Sequence, residues 1–573
     1  MASIELSWRG DELMKKRNFA KLALILTSML TIGMCVGCGG ASTPTAATGN
    51  QIEQTSGDGI HLKYSLTEEL NSLDPNYNYS ATSMNMILTV GEGLYKYMPD
   101  GTIGLGMASN VDISEDGLTY TFTIRDDAYW SNGDKVTSND YLYSWRRLAN
   151  PDNGCTYAYM LVTAGIKNAY NVIYNSDQGY TLDDLGISAP DDKTFVVELD
   201  AAKPYLTELL AIGTYLMPVN QKFCEECGDQ FMLDPEHSIY CGPYKMSKWE
   251  VGGTSYTLTK NESYYDADNV KVDTIDFTLL TDEQQKILSW ENGDLDQIQL
   301  TGDYVEMYKD DPSKYTQLSA GLFFIAFNTE NANLQNKNLR LAISTAIDKK
   351  TLTESILKDG SIPADYMIPD QFANDSKGVC FRERIGHPTY NEYDLTKAAD
   401  YWEKAKAELG TDNLSIELLY NEDSVLASVA AYIQSQLQTN LPGLTVNLRC
   451  TSYNQRLADM GNGNYEMGIT RWYADYQDAS TFLDMWTKDS NLNYENWVND
   501  EYNDLYAKVT GEYAMDEDKR IEAQKRMEQI FEEDAAACAL YQPSMVYLRN
   551  TNYTFLTTQG GFTLYKYTDK VNP

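Results

Sequence analysis

The sequence predicts a mixed α/β protein with more than one hydrophobic core, on three observations. Leu118, Tyr120, Phe122 and Ile124 alternate strictly with threonines, the period of a half-buried strand. Leu339, Ala342, Ile343, Ala346 and Ile347 keep helical spacing, with Gly360 beyond them as a stop. Past residue 59 the chain runs for more than 500 residues, too many for one core.

Residues 1–37 read as an export leader. Lys15, Lys16, Arg17 and Lys21 form a basic patch after Met14. The apolar stretch from Leu22 to Met34 is short for a spanning helix but fits a signal-peptide core. Cys35-Val36-Gly37-Cys38 then resembles a bacterial lipoprotein box, with cleavage after Gly37 and lipid on Cys38; Cys35 stands where leucine is usual. A signal without lipid is the alternative. Residues 38–59 are rich in Gly, Ser, Thr and Ala and read as a flexible tether.

Further elements follow in order. Thr137 with Asp140 three residues on forms a capping box that opens a helix through Trp145 to Leu148. Leu414 to Tyr420 reads as a strand, and Leu426, Val429, Ala430, Ile433 and Leu437 form one helical face. Pro442-Gly443 makes a turn, and Leu444, Val446 and Leu448 alternate as a second strand. Strand, helix and strand in that order make a crossover with parallel strands. Tyr465 to Thr470 is another strand, and Arg471-Trp472-Tyr473-Ala474-Asp475-Tyr476-Gln477-Asp478 is expected as the loop after it. Ligands of α/β proteins bind past the carboxyl ends of strands. A carboxylate among aromatic rings suits an organic cation, such as the α-ammonium of a peptide.

Charge narrows the partners. The chain carries 45 basic and 83 acidic residues; without the leader's five and three, 40 stand against 80. Nucleic acid and anionic lipid surfaces are poor partners for such a field. Catalytic patterns are thin: three histidines, no His-Glu-x-x-His, no phosphate loop and no Gly-x-Ser-x-Gly elbow. Asp112, Ser114, Asp116 and Gly117 start like a calcium loop, but Thr123 holds the twelfth position, so the segment reads as a turn. Cys224 and Cys227 have metal-like spacing with no second pair to complete a site, so no metal or other cofactor is expected. Past the leader and Cys38, seven cysteines remain, an odd number.

Several blocks, in order, resemble the extracellular oligopeptide-binding proteins of bacterial ABC importers, the three-lobed family 5 class of solute-binding proteins. They are Ser72-Leu73-Asp74-Pro75, Trp130 to Asp140 with Tyr143 to Leu148, and Cys241-Gly242-Pro243-Tyr244 with Asn261 to Tyr265. Phe327-Asn328 with Asn338 to Ala342, and Trp472-Tyr473-Ala474-Asp475-Tyr476, complete the set. The resemblance implies a type II periplasmic-binding-protein-like clamp with mixed sheets and a hinge. Lobe I would comprise 60–92, 212–320 and 536–573, lobe II 93–211 and lobe III 321–535. Chain crossings near Ala320 and near residue 535 would form the hinge.

The same resemblance implies the site. Asp475 would hold the peptide ammonium, with Trp472 and Tyr453 as cleft walls and Tyr157 approaching the ligand. Tyr79 replaces an acidic cleft residue, and the backbone of Phe323, Phe324 and Ile325 would pair with the peptide. Leu426, Met460 and Ile469 stand where relatives selective for short peptides carry basic residues, so charge capture of the ligand carboxylate is not expected. The function implied is a monomeric, non-enzymatic, lipid-anchored receptor on the outer face of the cell membrane, delivering oligopeptides to an ABC permease. An oligosaccharide receptor of the same family is the first alternative, and a secreted hydrolase the second.

Overall fold

Among the described residues, four β-sheets, two of them large, organise the chain. The computed structural model describes residues 59–571, apart from 71, 79, 250, 251, 489 and 491. Cys38 and Tyr79 therefore lie outside the described residues.

The seven-stranded sheet has the spatial order Lys314–Leu318, Ser544–Arg549, Gln297–Leu300, Ile60–Leu66, Val272–Leu279, Ser255–Lys260 and Tyr244–Lys248. Ile60–Leu66 runs parallel to both of its neighbours, and the remaining pairs are antiparallel. A four-stranded antiparallel sheet holds Ala108–Ile113, Thr119–Ile124, Thr194–Glu198 and Ile187–Asp191. One continuous apolar core joins these sheets, from Leu62 through Phe122 and Trp145 to Phe277.

The six-stranded sheet has the order Ile362–Pro363, Ala537–Gln542, Gly321–Phe327, Met467–Tyr473, Leu414–Asn421 and Leu444–Thr451. Alternation on its central strand feeds two separate cores. Leu322, Phe324 and Ala326 pack on one face with Trp486 and Phe531. Ile325 and Phe327 pack on the other with Leu418, Val429 and Ile433. The parallel crossover read from the sequence is present: Leu414–Asn421, helix Ser424–Asn440 and Leu444–Thr451, the two strands in parallel register from Leu414↔Leu444 to Asn421↔Thr451.

Two short links join the large sheets. Ser319 and Ala320 separate Lys314–Leu318 from Gly321–Phe327, and Pro543 alone separates Ala537–Gln542 from Ser544–Arg549. The second link thus falls at Pro543 and not near residue 535, because Ala537–Gln542 is buried throughout and pairs with Gly321–Phe327. Two other expectations shift. The helix expected through Ile347 ends at Thr345, and a new turn starts after Asp348, whose side chain caps it. The strand expected to stop at Thr470 continues to Tyr473, so Arg471, Trp472 and Tyr473 are strand residues.

The sequence blocks singled out above clamp this framework. Arg147 donates two hydrogen bonds to Asp74, at 2.8 and 2.6 Å, and a third to Asn76 at 2.9 Å. The Trp145 indole donates to the Leu216 carbonyl at 2.9 Å. The Asn328 amide ties the Gly463 and Tyr465 carbonyls at 3.1 and 2.8 Å. Arg340 donates to the Ala535 carbonyl at 2.9 Å. The capping box is formed, with the Thr137 N–H donating to Asp140 at 2.7 Å.

Candidate functional site

The segment after strand Met467–Tyr473 is fixed residue by residue. The Ala474 N–H donates to the Ala320 carbonyl at 2.8 Å, continuing the pairing with Gly321–Phe327. The Asp475 N–H and the Trp472 indole both donate to the Thr481 hydroxyl, at 3.2 and 3.4 Å. The Tyr476 ring stacks on Tyr205 with centroids 3.7 Å apart, and its hydroxyl donates to Asp484 at 3.0 Å. The Gln477 N–H donates to Glu208 at 2.6 Å. Asp478 pairs with Arg520 and accepts from Gln524 at 2.8 Å. A side chain carried by such a loop has its position set before any ligand arrives.

Asp475 projects into a cleft of about 520 Å³ whose lining includes Tyr157, Tyr159, Tyr215 and Tyr473. Water reaches the carboxyl, yet cleft walls surround it, and the resulting loss of solvation pushes its pKa up to about 6. Burial raises the pKa of Tyr157, Tyr159 and Tyr215, and the Asp475 charge adds to each. Tyr157 stacks on Tyr215 at 5.3 Å, so the phenols form a wall facing one carboxylate. Among the described residues Asp475 forms no ion pair. Behind it, burial and then the Asp478 charge push the Glu208 carboxyl up to about 8.

Beside Asp475 runs an unpaired strand edge. Strand Met467–Tyr473 pairs fully with Gly321–Phe327 but meets Leu414–Asn421 only at Met467 and Gly468. In an antiparallel pair, successive residues turn their N–H and C=O to alternate sides. Ala474 faces Ala320, so Arg471 and Tyr473 turn theirs to the open side.

The expected site residues divide. Asp475 and Tyr157 share the cleft lining. Tyr453 is 47% exposed at the start of helix Tyr453–Gly461. Trp472 packs against the core under the loop, so it supports the site from below. Backbone pairing of a ligand with Phe323, Phe324 and Ile325 is corrected: their strand is paired on both sides, with Met467–Tyr473 and Ala537–Gln542. Phe324 and Ile325 are buried in opposite cores, and the Phe323 ring stacks on Tyr541 at 4.6 Å. Leu426, Met460 and Ile469 are all buried. Cys224 and Cys227 lie on helix Gln221–Cys227 as free thiols, and among the described residues no cluster is arranged to hold a metal.

Tyr159, Tyr215 and Glu208 were not anticipated. Tyr159 alone carried a usable signal, since it stands two residues from Tyr157 in a tyrosine-rich segment. The other two belong to a part of the chain whose approach to Asp475 is set by tertiary packing.

These features suit a binding protein: a cleft bordered by two mixed sheets and lined by tyrosines and two carboxyl groups, Asp475 and Glu208. Residues 102–494 match the family of bacterial extracellular solute-binding proteins, family 5 (middle), and the chain belongs to that family. The oligopeptide-binding protein OppA of Bacillus subtilis (strain 168) is 31% identical over 556 residues, covering 94% of this chain and 96% of that protein. The solved structure of Listeria monocytogenes OppA bound to peptide is 30% identical, covers 90% of this chain and 100% of its own, and superposes with a TM-score of 0.67. The periplasmic murein tripeptide binding protein MppA in its unliganded open form is 26% identical, covers 90% and 98%, and superposes with a TM-score of 0.78. The fold is the type II periplasmic-binding-protein clamp.

Proposed function

We propose that this chain captures oligopeptides outside the cell by their N-terminal ammonium and delivers them to an ABC importer. One observation carries the reading: Asp475 stands in a cleft walled by tyrosines, with no ion-pair partner among the described residues. A free α-ammonium supplies the missing charge, and the phenol faces favour it further. The open edge at Arg471 and Tyr473 pairs with an extended backbone whatever its side chains, which gives affinity without reading sequence. The binding proteins of similar sequence and fold are described as binding oligopeptides or a murein tripeptide.

In this reading the four-stranded sheet forms lobe II, the seven-stranded sheet lobe I and the six-stranded sheet lobe III. The higher TM-score against an unliganded open relative fits an open clamp awaiting ligand. Cys38 carries the lipid that holds the monomer at the membrane, and two or three acyl chains suffice for stable anchoring.

The deciding experiment is calorimetric titration of one peptide and its N-acetylated form against the protein. The free peptide binds and the acetylated one does not. Equal affinity for both removes the ammonium reading and leaves an oligosaccharide as the ligand to test.

A further inference from the structure

The residues on either side of Asp475 are tied to different parts of the molecule. Ala474 pairs with Ala320 at one of the links between the large sheets. Tyr476 is buried in the core that joins the seven-stranded and four-stranded sheets. Between these ties Asp475 makes one hydrogen bond of its own among the described residues, from its N–H to the Thr481 hydroxyl at 3.2 Å. The same oxygen accepts the Trp472 indole N–H at 3.4 Å. A hydroxyl oxygen has two lone pairs, so it serves both donors at once. Thr481 is 1% exposed, and all four residues of its short helix, Ser480–Leu483, are buried. The helix is fixed from behind. The Ser480 N–H donates to Asp478 at 2.9 Å, and the Gln524 amide donates to Asp478 and to the Ser480 hydroxyl at 2.8 and 3.0 Å. Phe482 and Leu483 pack in the core with Trp486 and Phe531. The Thr481 oxygen is therefore a fixed point below the cleft, while Asp475 itself is exposed to it.

We infer that Thr481 is a positioning residue for the Asp475 carboxylate, and that its hydroxyl sets where a ligand's cation must sit. The inference rests on the ammonium reading above. The N–H of Asp475 belongs to the rigid peptide plane it shares with Ala474, so fixing that N–H fixes the direction in which the Asp475 side chain leaves the backbone. A charge pair tolerates an error of about half an ångström in such a placement before it weakens. Thr481 does not touch the ligand; it acts through Asp475. The bond to Trp472 strengthens the effect, because the indole lies under the loop and is held by the same oxygen. Valine at this position keeps nearly the same shape but removes the acceptor. Both donors then lose their partner, and the Asp475 N–H is left to turn toward water.

The test compares the parent with Thr481→Val and Thr481→Ser, first without ligand. Hydrogen exchange of the Asp475 amide is slow in the parent and in Thr481→Ser and at least tenfold faster in Thr481→Val, while the amides of strand Gly321–Phe327 keep their rates. Equal exchange at Asp475 in all three proteins overturns the positioning role, whatever binds. Alanine peptides of two to six residues are then titrated calorimetrically. The tightest of them binds Thr481→Val about tenfold more weakly than the parent, and Thr481→Ser recovers most of the loss. The cycle with Asp475→Asn separates positioning from mere packing: once the carboxylate is gone, Thr481→Val costs nothing further. A full additional loss in that background overturns the inference, as does unchanged affinity in Thr481→Val. Should Thr481→Val fail to fold, Thr481→Ala takes its place in both measurements. If the parent binds free and N-acetylated peptide equally, the ammonium reading falls, and the exchange of the Asp475 amide still judges Thr481. If no alanine peptide gives heat, that exchange alone decides.

Discussion

Ser319 donates twice to the carbonyl oxygen of Pro543, from its N–H at 2.9 Å and its hydroxyl at 3.0 Å. The Gln542 amide returns a bond to the Ser319 carbonyl at 2.9 Å. The two links between the large sheets therefore run side by side as one tied pair, and bending at one bends the other. Rotation about this pair is the motion expected to close the cleft on a ligand. The expected outcome is a smaller radius of gyration in small-angle scattering when peptide is added. Tight binding with an unchanged scattering curve would count against closure.

Asp475→Asn keeps the shape of the side chain and removes its charge. Leaving a desolvated ammonium without its partner costs on the order of 3–5 kcal/mol, a loss of roughly two to nearly four powers of ten in affinity. N-acetylation of the peptide deletes the same interaction from the other side. The two losses should not add when titrated together, and full additivity would show that acetyl group and Asp475 act at different places.

Binding should follow the ionisation of Asp475. Its carboxyl titrates near 6 in the unliganded cleft, and the ammonium pair needs it charged. Affinity then falls about tenfold per pH unit below that value, and falls again above about 8 as the peptide amine loses its proton. Titration in buffers of different ionisation enthalpy should detect proton release on binding at pH 5. A flat profile between pH 5 and 7 would exclude the carboxylate as the partner.

Glu208 makes the opposite demand on pH. Its folded pKa, about 8, lies above the unfolded value, so the folded state holds the extra proton. Stability from this group is complete below about pH 4.3 and is lost as pH rises toward 8. Glu208→Gln should flatten the decline of Tm across that interval, read by calorimetry from pH 5 to 9. Parallel Tm profiles for parent and variant would remove Glu208 from the account.

Cys38→Ser should release the protein from the membrane when it is made in a bacterium that processes lipoproteins. The measurement is the partition between membrane and medium. A variant that stays with the membrane has another anchor.

Local pattern made some of this legible and tertiary packing hid the rest. The crossover from Leu414 to Thr451 was readable because turn chemistry and two periods agree there. The place of Asp475 in a loop past a strand end was readable because an apolar run precedes it. The two-sided pairing of Phe323 to Ile325 was not, since a strand buried on both faces looks the same whether its edges are free or taken.

The order of strands also constrains how the chain is made. Ala537–Gln542 lies inside one large sheet and Ser544–Arg549 inside the other, so neither sheet is complete before these two adjacent strands are made. Gly321–Phe327 is synthesised about two hundred residues before Ala537–Gln542, its neighbour on one side. Contacts so distant in sequence form slowly, because loop closure comes before any reward. Until then a nascent chain carries neither large sheet complete. Removal of the segment from residue 537 onward would take an interior strand from both large sheets at once.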